Sequence, residues 1–162
     1  RPNYIINKKN IEIGNNVIID KYSFVYMIKK HNNNSYNPLL KIGDNISIGQ
    51  NFMISCMGKI IVEDYVMMSR NVFIGDGIHD YQDIDKPIIK QNMLFKGDVL
   101  IKKGAFIGIN SVIMPGVTIG RNSVVGANSV VTKDIPDFSV VAGAPAKIIK
   151  QYDKLSKRFI KV

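Results

Sequence analysis

The sequence has one cysteine, two histidines and no tryptophan among its 162 residues. The single cysteine, Cys56, excludes an intrachain disulfide and a cysteine-based zinc site. No apolar run reaches the roughly 18 residues that a transmembrane helix needs. Residues 1–4, RPNY, do not have the composition of a signal peptide. We therefore expect a single domain of a cytoplasmic protein.

Acidic residues are also in short supply, with 13 Asp and Glu against 22 Lys and Arg and a formal net charge of +9. An excess of this size favours anionic partners. The cations are scattered, with no dense cluster and no nucleic-acid-binding motif, so we expect no nucleic-acid partner. A phosphate-rich small molecule, or an anionic membrane surface near a lipid-linked substrate, fits the charge as well, and part of it serves solubility.

The sequence is rich in a six-residue repeat. From position 101 it reads IKKGAF, IGINSV, IMPGVT, IGRNSV, VGANSV and VTKDIP. A period of six fits neither an amphipathic helix nor a long alternating strand, but it fits short strands joined by Gly- and Asn-rich corners. A β-sandwich would space its strands at about 8–12 residues. The repeating aliphatic residues are Ile13, Ile19, Ile42, Ile48, Val62, Met68, Ile74, Ile101, Ile107, Ile113, Ile119, Val125 and Val131. The repeat predicts an all-β solenoid with a buried aliphatic column.

The repeat is interrupted in three places. Residues 29–41 indicate an exposed loop, in which we expect His31 to be solvated. Two extra residues around Cys56 indicate a bulged corner, with the thiol packed in the core. Residues 75–97 contain the stretch DGIHDYQD with His79. Position alone leaves two interpretations of His79: a surface residue without a task, or a reactive group on a loop that covers a cleft.

Residues 113–150, with IMPGVTIG, VVGANSVVTKDIP and VVAGAPAKIIK in that order, resemble the hexapeptide-repeat acyltransferases. The resemblance covers nearly the whole chain and is strongest to bacterial sugar and polysaccharide O-acetyltransferases. It implies a left-handed parallel β-helix over residues 1–147, with excursions at about 29–41 and 75–97, and a homotrimer with active sites between subunits. The apolar residues of the segment 148–162 recur at helical spacing and predict a short C-terminal helix packed on the coil: Ile148, Ile149, Tyr152, Leu155 and Phe159.

The resemblance also implies acetyl transfer from acetyl-CoA to a hydroxyl or an amine. A sugar hydroxyl is protonated at neutral pH, so a base must take its proton as it attacks the thioester. Imidazole, with an ordinary pKa of about 6.5, suits this task. In the family the catalytic histidine follows an N-V-x-I repeat, which here is residues 71–74, so the resemblance implies that His79 is the catalytic base. Many sugar-modifying relatives have D-H-x-H at this point, whereas this chain has Gly77 in place of the first histidine.

Acceptor-binding residues are predicted around this excursion. We expect acceptor contacts from Asn51, Asp76, Tyr81 and Asp83. Asn51 is alternatively an ordinary corner asparagine, and the aspartates alternatively only solubilise the loop. One of Asp76, Asp80 or Asp83, or else a backbone carbonyl, is expected to orient the His79 ring.

Cofactor-binding residues are predicted at the coil corners and in the C-terminal stretch. The resemblance implies that coenzyme A meets main-chain groups near the thioester, lysines at its phosphates and a turn at its adenine. Phe106 occupies a place where relatives often have Trp. The implied contacts are Phe106, Gly108, Ile109, Ala127, Lys133, Gly143, Pro145 and Lys147.

We predict an acetyl-CoA-dependent O-acetyltransferase that acts on a sugar hydroxyl of a bacterial surface polysaccharide or its precursor. An amino-sugar N-acetyltransferase and an antibiotic O-acetyltransferase are open alternatives, because the same base serves them. A non-catalytic β-helix scaffold is the alternative from another class, and it predicts that His79 is dispensable. A γ-class carbonic anhydrase would need three zinc-binding histidines, whereas this chain has two, with His31 expected far from His79, so we expect no metal site.

Overall fold

The structure, a computed structural model, describes residues 4–162. Short strands alternate with corners, and each strand pairs in parallel with its equivalents one coil before and after it. Three strands complete one coil, and the coils stack into a prism with three faces. The predicted all-β, left-handed parallel β-helix is confirmed. Residues 1–3 of the predicted domain lie outside the described residues.

Each face of the prism is one sheet. Face A consists of β1 Tyr4–Ile6, β4 Phe24–Met27, β9 Met53–Cys56, β12 Phe73–Gly75, β17 Val112–Ile113 and β20 Val130–Val131. Face B consists of β2 Ile11–Ile13, β7 Leu39–Ile42, β10 Lys59–Val62, β15 Val99–Ile101 and β18 Thr118–Ile119. Face C consists of β3 Ile18–Ile19, β8 Ser47–Ile48, β11 Met67–Met68, β16 Phe106–Ile107, β19 Val124–Val125 and β21 Ser139–Gly143, followed by β22 Ala146–Asp153 and β23 Arg158–Lys161.

The interior is filled by the repeating aliphatic residues. On face C, Ile48, Met68 and Ile107 are register partners on successive coils and are at most 2% exposed. Close packing of such side chains removes apolar surface from water, which is the main stabilising contribution of a solenoid. Small buried serines fill the tighter positions, and each finds a partner: the Ser123 hydroxyl donates to the Pro136 carbonyl at 2.7 Å.

The corner between faces C and A, here called edge CA, is built on a column of asparagines. Each has a φ of 56–58°, the left-handed region that asparagine tolerates better than other side chains. Each side-chain amide donates to the next carbonyl at 2.8–3.0 Å, in the order Asn51, Asn71, Asn110 and Asn128. Asn51 is therefore a corner residue, and its predicted contact with the acceptor stays a prediction.

Two segments leave the prism, and both leave at the corner between faces A and B, here called edge AB. Between β4 and β7 the chain forms a small hairpin of β5 Lys30–His31 and β6 Asn34–Ser35. Between β12 and β15 it forms a longer excursion with β13 Gly77–His79, a 3-10 helix at Ile88–Lys90 and β14 Met93–Phe95. The two predicted interruptions are therefore confirmed, and both contain paired strands.

The predicted C-terminal helix is wrong, because residues 146–161 form the antiparallel strands β22 and β23. Strand β22 pairs with β21. Without this pairing, β21 would be an unpaired edge strand of the last coil. The turn between the strands is closed by the Asp153 carboxylate, which accepts the Ser156 N–H at 2.7 Å. Tyr152 and Phe159, whose spacing suited a helix, are cross-strand partners with ring centroids 5.5 Å apart.

Candidate functional site

Edge AB brings together all three interruptions of the repeat. The hairpin 30–35 leaves the second coil, the tight turn at Cys56 belongs to the third, and the excursion leaves the fourth. Parallel register fixes this stacking, because Met27 pairs with Cys56 and Ser55 pairs with Gly75. The departures from the repeat therefore form one continuous irregular edge on an otherwise regular prism.

Asp76 ties the excursion to the turn below it. Its Oδ1 accepts the Met57 N–H at 2.8 Å, its Oδ2 accepts the Gly58 N–H at 2.8 Å, and the Cys56 thiol lies 3.5 Å from Oδ2. The returning chain is held too, since the Lys96 N–H donates to the Asp76 carbonyl at 3.0 Å.

The prediction that Asp76 contacts an acceptor is wrong, because its side chain is fully buried and both oxygens are occupied. Burial raises the pKa of the Asp76 carboxyl above its ordinary value, and the two backbone N–H donors oppose that rise. The prediction of a buried Cys56 thiol is confirmed. Burial and the neighbouring Asp76 raise the pKa of this thiol, so it stays protonated.

Gly77 is required by the packing beneath the excursion. A Cβ at this position would overlap the Met57 sulfur and lie 2.9 Å from the Leu94 carbonyl oxygen. No side chain fits there while Met57 keeps its place. The turn of the third coil and the D-G-I-H stretch of the fourth are therefore matched to each other.

His79 ends β13 and is exposed at the rim of edge AB. The strand is held against β14, where His79 pairs with Met93, and the next residue, Asp80, donates its N–H to the Asn92 carbonyl at 2.7 Å. The expectation that His31 lies far away is wrong. Its ring meets the His79 ring edge-on, with 5.7 Å between centroids.

Gln91, which the sequence did not mark, connects the hairpin to the excursion. Its backbone carbonyl accepts the Asn32 side-chain amide at 2.8 Å and lies 3.2 Å from the His31 Nε2. Its buried side chain donates to the carbonyls of Asp83 and Lys86 at 2.8 and 2.7 Å and accepts the Asp83 N–H at 3.1 Å. One glutamine therefore fixes the loop shape and the position of the second histidine.

The carboxylates of Asp83 and Asp80 have partners within the loop. The Asp83 carboxylate pairs with the Lys86 ammonium at 2.7 Å, and this hydrogen bond lowers the pKa of Asp83. The Asp80 carboxylate accepts the Gln82 N–H at 3.1 Å. Tyr81, at 60% exposure, projects from the loop, where a sugar ring could reach it. Acceptor contacts from Tyr81 and Asp83 stay predictions.

The predicted cofactor residues divide between two edges. Edge CA holds five of them in a column: Gly108, Ile109, Ala127, Gly143 and Pro145. The column is continuous, because the Asn128 N–H donates to the Ile109 carbonyl at 2.8 Å and the Gly143 N–H donates to Ser129 Oγ at 3.2 Å.

The other three predicted cofactor residues lie elsewhere. Phe106 is half-buried on face C, and Lys147 lies on β22 opposite Ala142. Lys133 follows β20 at edge AB, the edge that also carries His79. Within one chain, face A separates His79 and Lys133 from the column on edge CA. Residues 4–162 contain no cluster of three or more His, Cys, Asp or Glu side chains that could hold a metal ion.

Comparison with known proteins also indicates a hexapeptide-repeat protein. Residues 98–133 match the family model for bacterial transferase hexapeptide (six repeats). The chain is similar to galactoside O-acetyltransferase of Escherichia coli, with 37% identity over 121 residues, 72% of this chain and 59% of that protein. It is also similar to the putative lipopolysaccharide biosynthesis O-acetyl transferase WbbJ of E. coli, with 33% identity over 70% of this chain and 61% of that protein.

Among solved structures, the chain is similar to AntD, an N-acyltransferase from Bacillus cereus in complex with dTDP and 3-hydroxybutyryl-CoA. The TM-score is 0.77 at 26% identity, over 96% of this chain and 80% of AntD. The chain spans 59% and 61% of the lengths of the two E. coli relatives. Residues 4–162 contain no helix that could span a lipid bilayer.

Proposed function

Because the chain belongs to the hexapeptide-repeat acyltransferase family, we propose that it is an acetyl-CoA-dependent O-acetyltransferase of a sugar hydroxyl, with His79 as general base. The observation that carries the proposal is the position of His79. It is the exposed end of a strand that Asp76 and Gln91 fix at edge AB, where the excursion interrupts the repeat. The similarity to a galactoside and a lipopolysaccharide O-acetyltransferase supports a sugar of a surface polysaccharide or its precursor as the acceptor.

The reaction proceeds by direct transfer. An imidazole nitrogen of His79 accepts the proton of the sugar hydroxyl as its oxygen attacks the thioester carbonyl of acetyl-CoA. The tetrahedral oxyanion is held by main-chain N–H groups, with Ile109 as the candidate donor at a coil corner. The C–S bond then breaks, the acetyl ester is released, and the imidazolium returns its proton to the sulfur of coenzyme A. Cys56 takes no part, because it is buried and protonated.

A trimer would complete this site. The outward positions of face A form an apolar column in register, one residue per coil: Tyr4, Phe24, Met53, Phe73, Val112 and Val130. Face B instead carries charged side chains on its first two strands, where Glu12 and Lys41 form an ion pair at 3.3 Å. Burial of the apolar face around a three-fold axis removes it from water and closes a ring.

The same arrangement places edge AB of one subunit beside edge CA of the next. His79 and Lys133 of one chain then face the Ile109 and Ala127 column of its neighbour, with coenzyme A in the cleft between them. The proposed trimer would therefore bring together predicted residues that are separated within a single chain. A cytoplasmic location, where acetyl-CoA is made, is part of the proposal.

The second candidate is N-acetylation of an amino sugar. It is favoured by the similarity to AntD, an N-acyltransferase that was crystallised with dTDP. Both reactions need the same base, so the fold is compatible with either. An antibiotic hydroxyl is a third acceptor for the same chemistry.

The test is release of free thiol from acetyl-CoA with sugars, nucleotide-sugars and amino sugars as acceptors, for wild type and His79→Ala. We expect thiol release that needs a hydroxyl sugar and falls by about 100-fold or more in the variant. Release with amino sugars alone would select the second candidate. No release from any acceptor, together with no acetyl-CoA binding by calorimetry, would leave a scaffold protein.

A further inference from the structure

The C-terminal hairpin, residues 146–162 with strands β22 and β23, concentrates the positive charge of the molecule. It has one acidic residue, Asp153, and six cations, so it carries +5 of the net charge of +9 in about a tenth of the chain. The cations are Lys147, Lys150, Lys154, Lys157, Arg158 and Lys161. Charge that looked scattered along the sequence is therefore gathered on one structural element.

Ion pairing does not offset this charge in the part of the chain that the structure describes. The five ion pairs found among residues 4–162 include no cation of the hairpin. Its single acid, Asp153, is the cross-strand partner of Arg158, and its carboxylate accepts the Ser156 N–H at 2.7 Å. Lys150 and Lys161 are direct cross-strand partners, and like charges in that relation destabilise a strand pair. An anionic surface placed against the hairpin would relieve this repulsion.

The same hairpin exposes apolar side chains. Leu155 at the tip is 94% exposed, between Lys154 and Lys157 in the turn. Ile160 and Phe159 follow at 46% and 41% exposure, on the strand that returns from the tip. Exposed aliphatic and aromatic groups surrounded by lysines are typical of segments that lie at the boundary between lipid headgroups and acyl chains.

We propose that this hairpin is a docking surface for an anionic lipid bilayer. The tip, with Leu155, enters the headgroup region, and the flanking lysines and Arg158 contact lipid phosphates. Such a surface would hold the enzyme where lipid-linked polysaccharide precursors are found, although the proposal does not depend on catalysis.

Other occupants fit the hairpin less well. A second copy of the chain would bring the same positive charge against it. Nucleic acid would satisfy the lysines but not Leu155.

The test is flotation of the protein with vesicles of phosphatidylcholine alone and of phosphatidylcholine mixed with phosphatidylglycerol in equal parts. We expect binding to the mixed vesicles only, weakened by salt. Each lysine near such a surface contributes about fivefold to binding, so the double variant Lys154→Gln with Lys157→Gln should bind about 25-fold more weakly. Leu155→Ser should weaken binding without a change in charge.

The matched control is Lys8→Gln with Lys9→Gln, which removes two exposed lysines from the opposite end of the prism. An equal loss of binding in this control and in the hairpin variant would show that only total charge matters, which overturns the proposal. Failure of the wild type to float with mixed vesicles also overturns it. Displacement from the vesicles by oligonucleotides, with no effect of Leu155→Ser, would reassign the hairpin to nucleic acid. Each outcome is read without an activity assay and is independent of the proposed acetyl transfer.

Discussion

Removal of the Asp76 carboxylate should strongly destabilise the fold. In Asp76→Ala the N–H groups of Met57 and Gly58 lose their acceptors in a site that is largely closed to water. A buried donor without an acceptor costs about 1–3 kcal/mol, so the two together predict a loss of about 2–6 kcal/mol. Asp76→Asn keeps one acceptor oxygen and turns an N–H₂ group toward the other donor, so it should lose about 1–3 kcal/mol.

The measurement is urea unfolding, read as the free energy of unfolding, with Asp85→Ala as the control. Asp85 lies in the same excursion and is exposed, so its removal should change the free energy of unfolding by no more than about 0.5 kcal/mol. If Asp76→Ala were no more destabilised than Asp85→Ala, the role of Asp76 as a clamp would be refuted. If Asp76→Ala does not fold at all, Asp76→Asn still provides the comparison.

Asp76 also predicts a pH dependence. Burial raises its pKa in the folded protein above that in the unfolded chain, so between the two pKa values the folded state holds more protons. Its contribution to stability is then greatest below the unfolded pKa of about 3.9 and declines as pH rises through the raised folded value. The free energy of unfolding of wild type minus that of Asp76→Asn should therefore fall as pH rises above about 4. A constant difference, or one that rises with pH, would contradict a raised pKa.

Three further predictions concern the edge and the faces. His31→Ala should lower kcat for acetyl transfer by about tenfold with little change in the KM for acetyl-CoA, because the His79 ring loses its edge contact. His31→Phe should restore most of kcat. An effect on the KM for the acceptor alone would instead make His31 a binding residue. Cys56 should resist thiol reagents in the folded protein and react once urea unfolds the protein, because the thiol is buried and its pKa is raised. Rapid labelling of Cys56 without denaturant would count against the buried position. Met53→Asp should convert the proposed trimer to monomers, as measured by size-exclusion chromatography, because it puts a charge in the apolar column of face A. Lys41→Asp on face B is the control, and dissociation by both variants would argue against face A as the interface.

The β-solenoid was predictable because the six-residue period specifies it locally, whereas its left-handedness was implied by the family resemblance. The position of each inward aliphatic residue in the repeat, such as Ile107 or Ile113, indicates where it lies on a face. This assignment does not require knowledge of the distant residues that it contacts. The C-terminal helix was predicted wrongly for the opposite reason. The spacing of Tyr152 and Phe159 is compatible with a helix, and only the free edge of β21 decides that the segment becomes a strand.

The candidate site was predictable only in part. His79 stood out because it interrupts the repeat, whereas the contact between His31 and His79 depends on counting coils across two interruptions. That count was available, because Met27 and Cys56 occupy equivalent positions on successive coils. Gln91 left no signal in the sequence, because its partners Asp83 and Lys86 are set by the loop shape that it creates.

The excursion at edge AB should tolerate changes in its length and sequence. The excursion is anchored at its base by Asp76 and across its middle by Gln91, while Ile84 and Ile89 between those anchors are 93% and 80% exposed. Nothing in the coil register depends on how many residues the chain uses in that interval. The tip can therefore be exchanged for segments of other lengths and compositions, and in the proposed enzyme such an exchange would fit the same prism and the same His79 to a different acceptor.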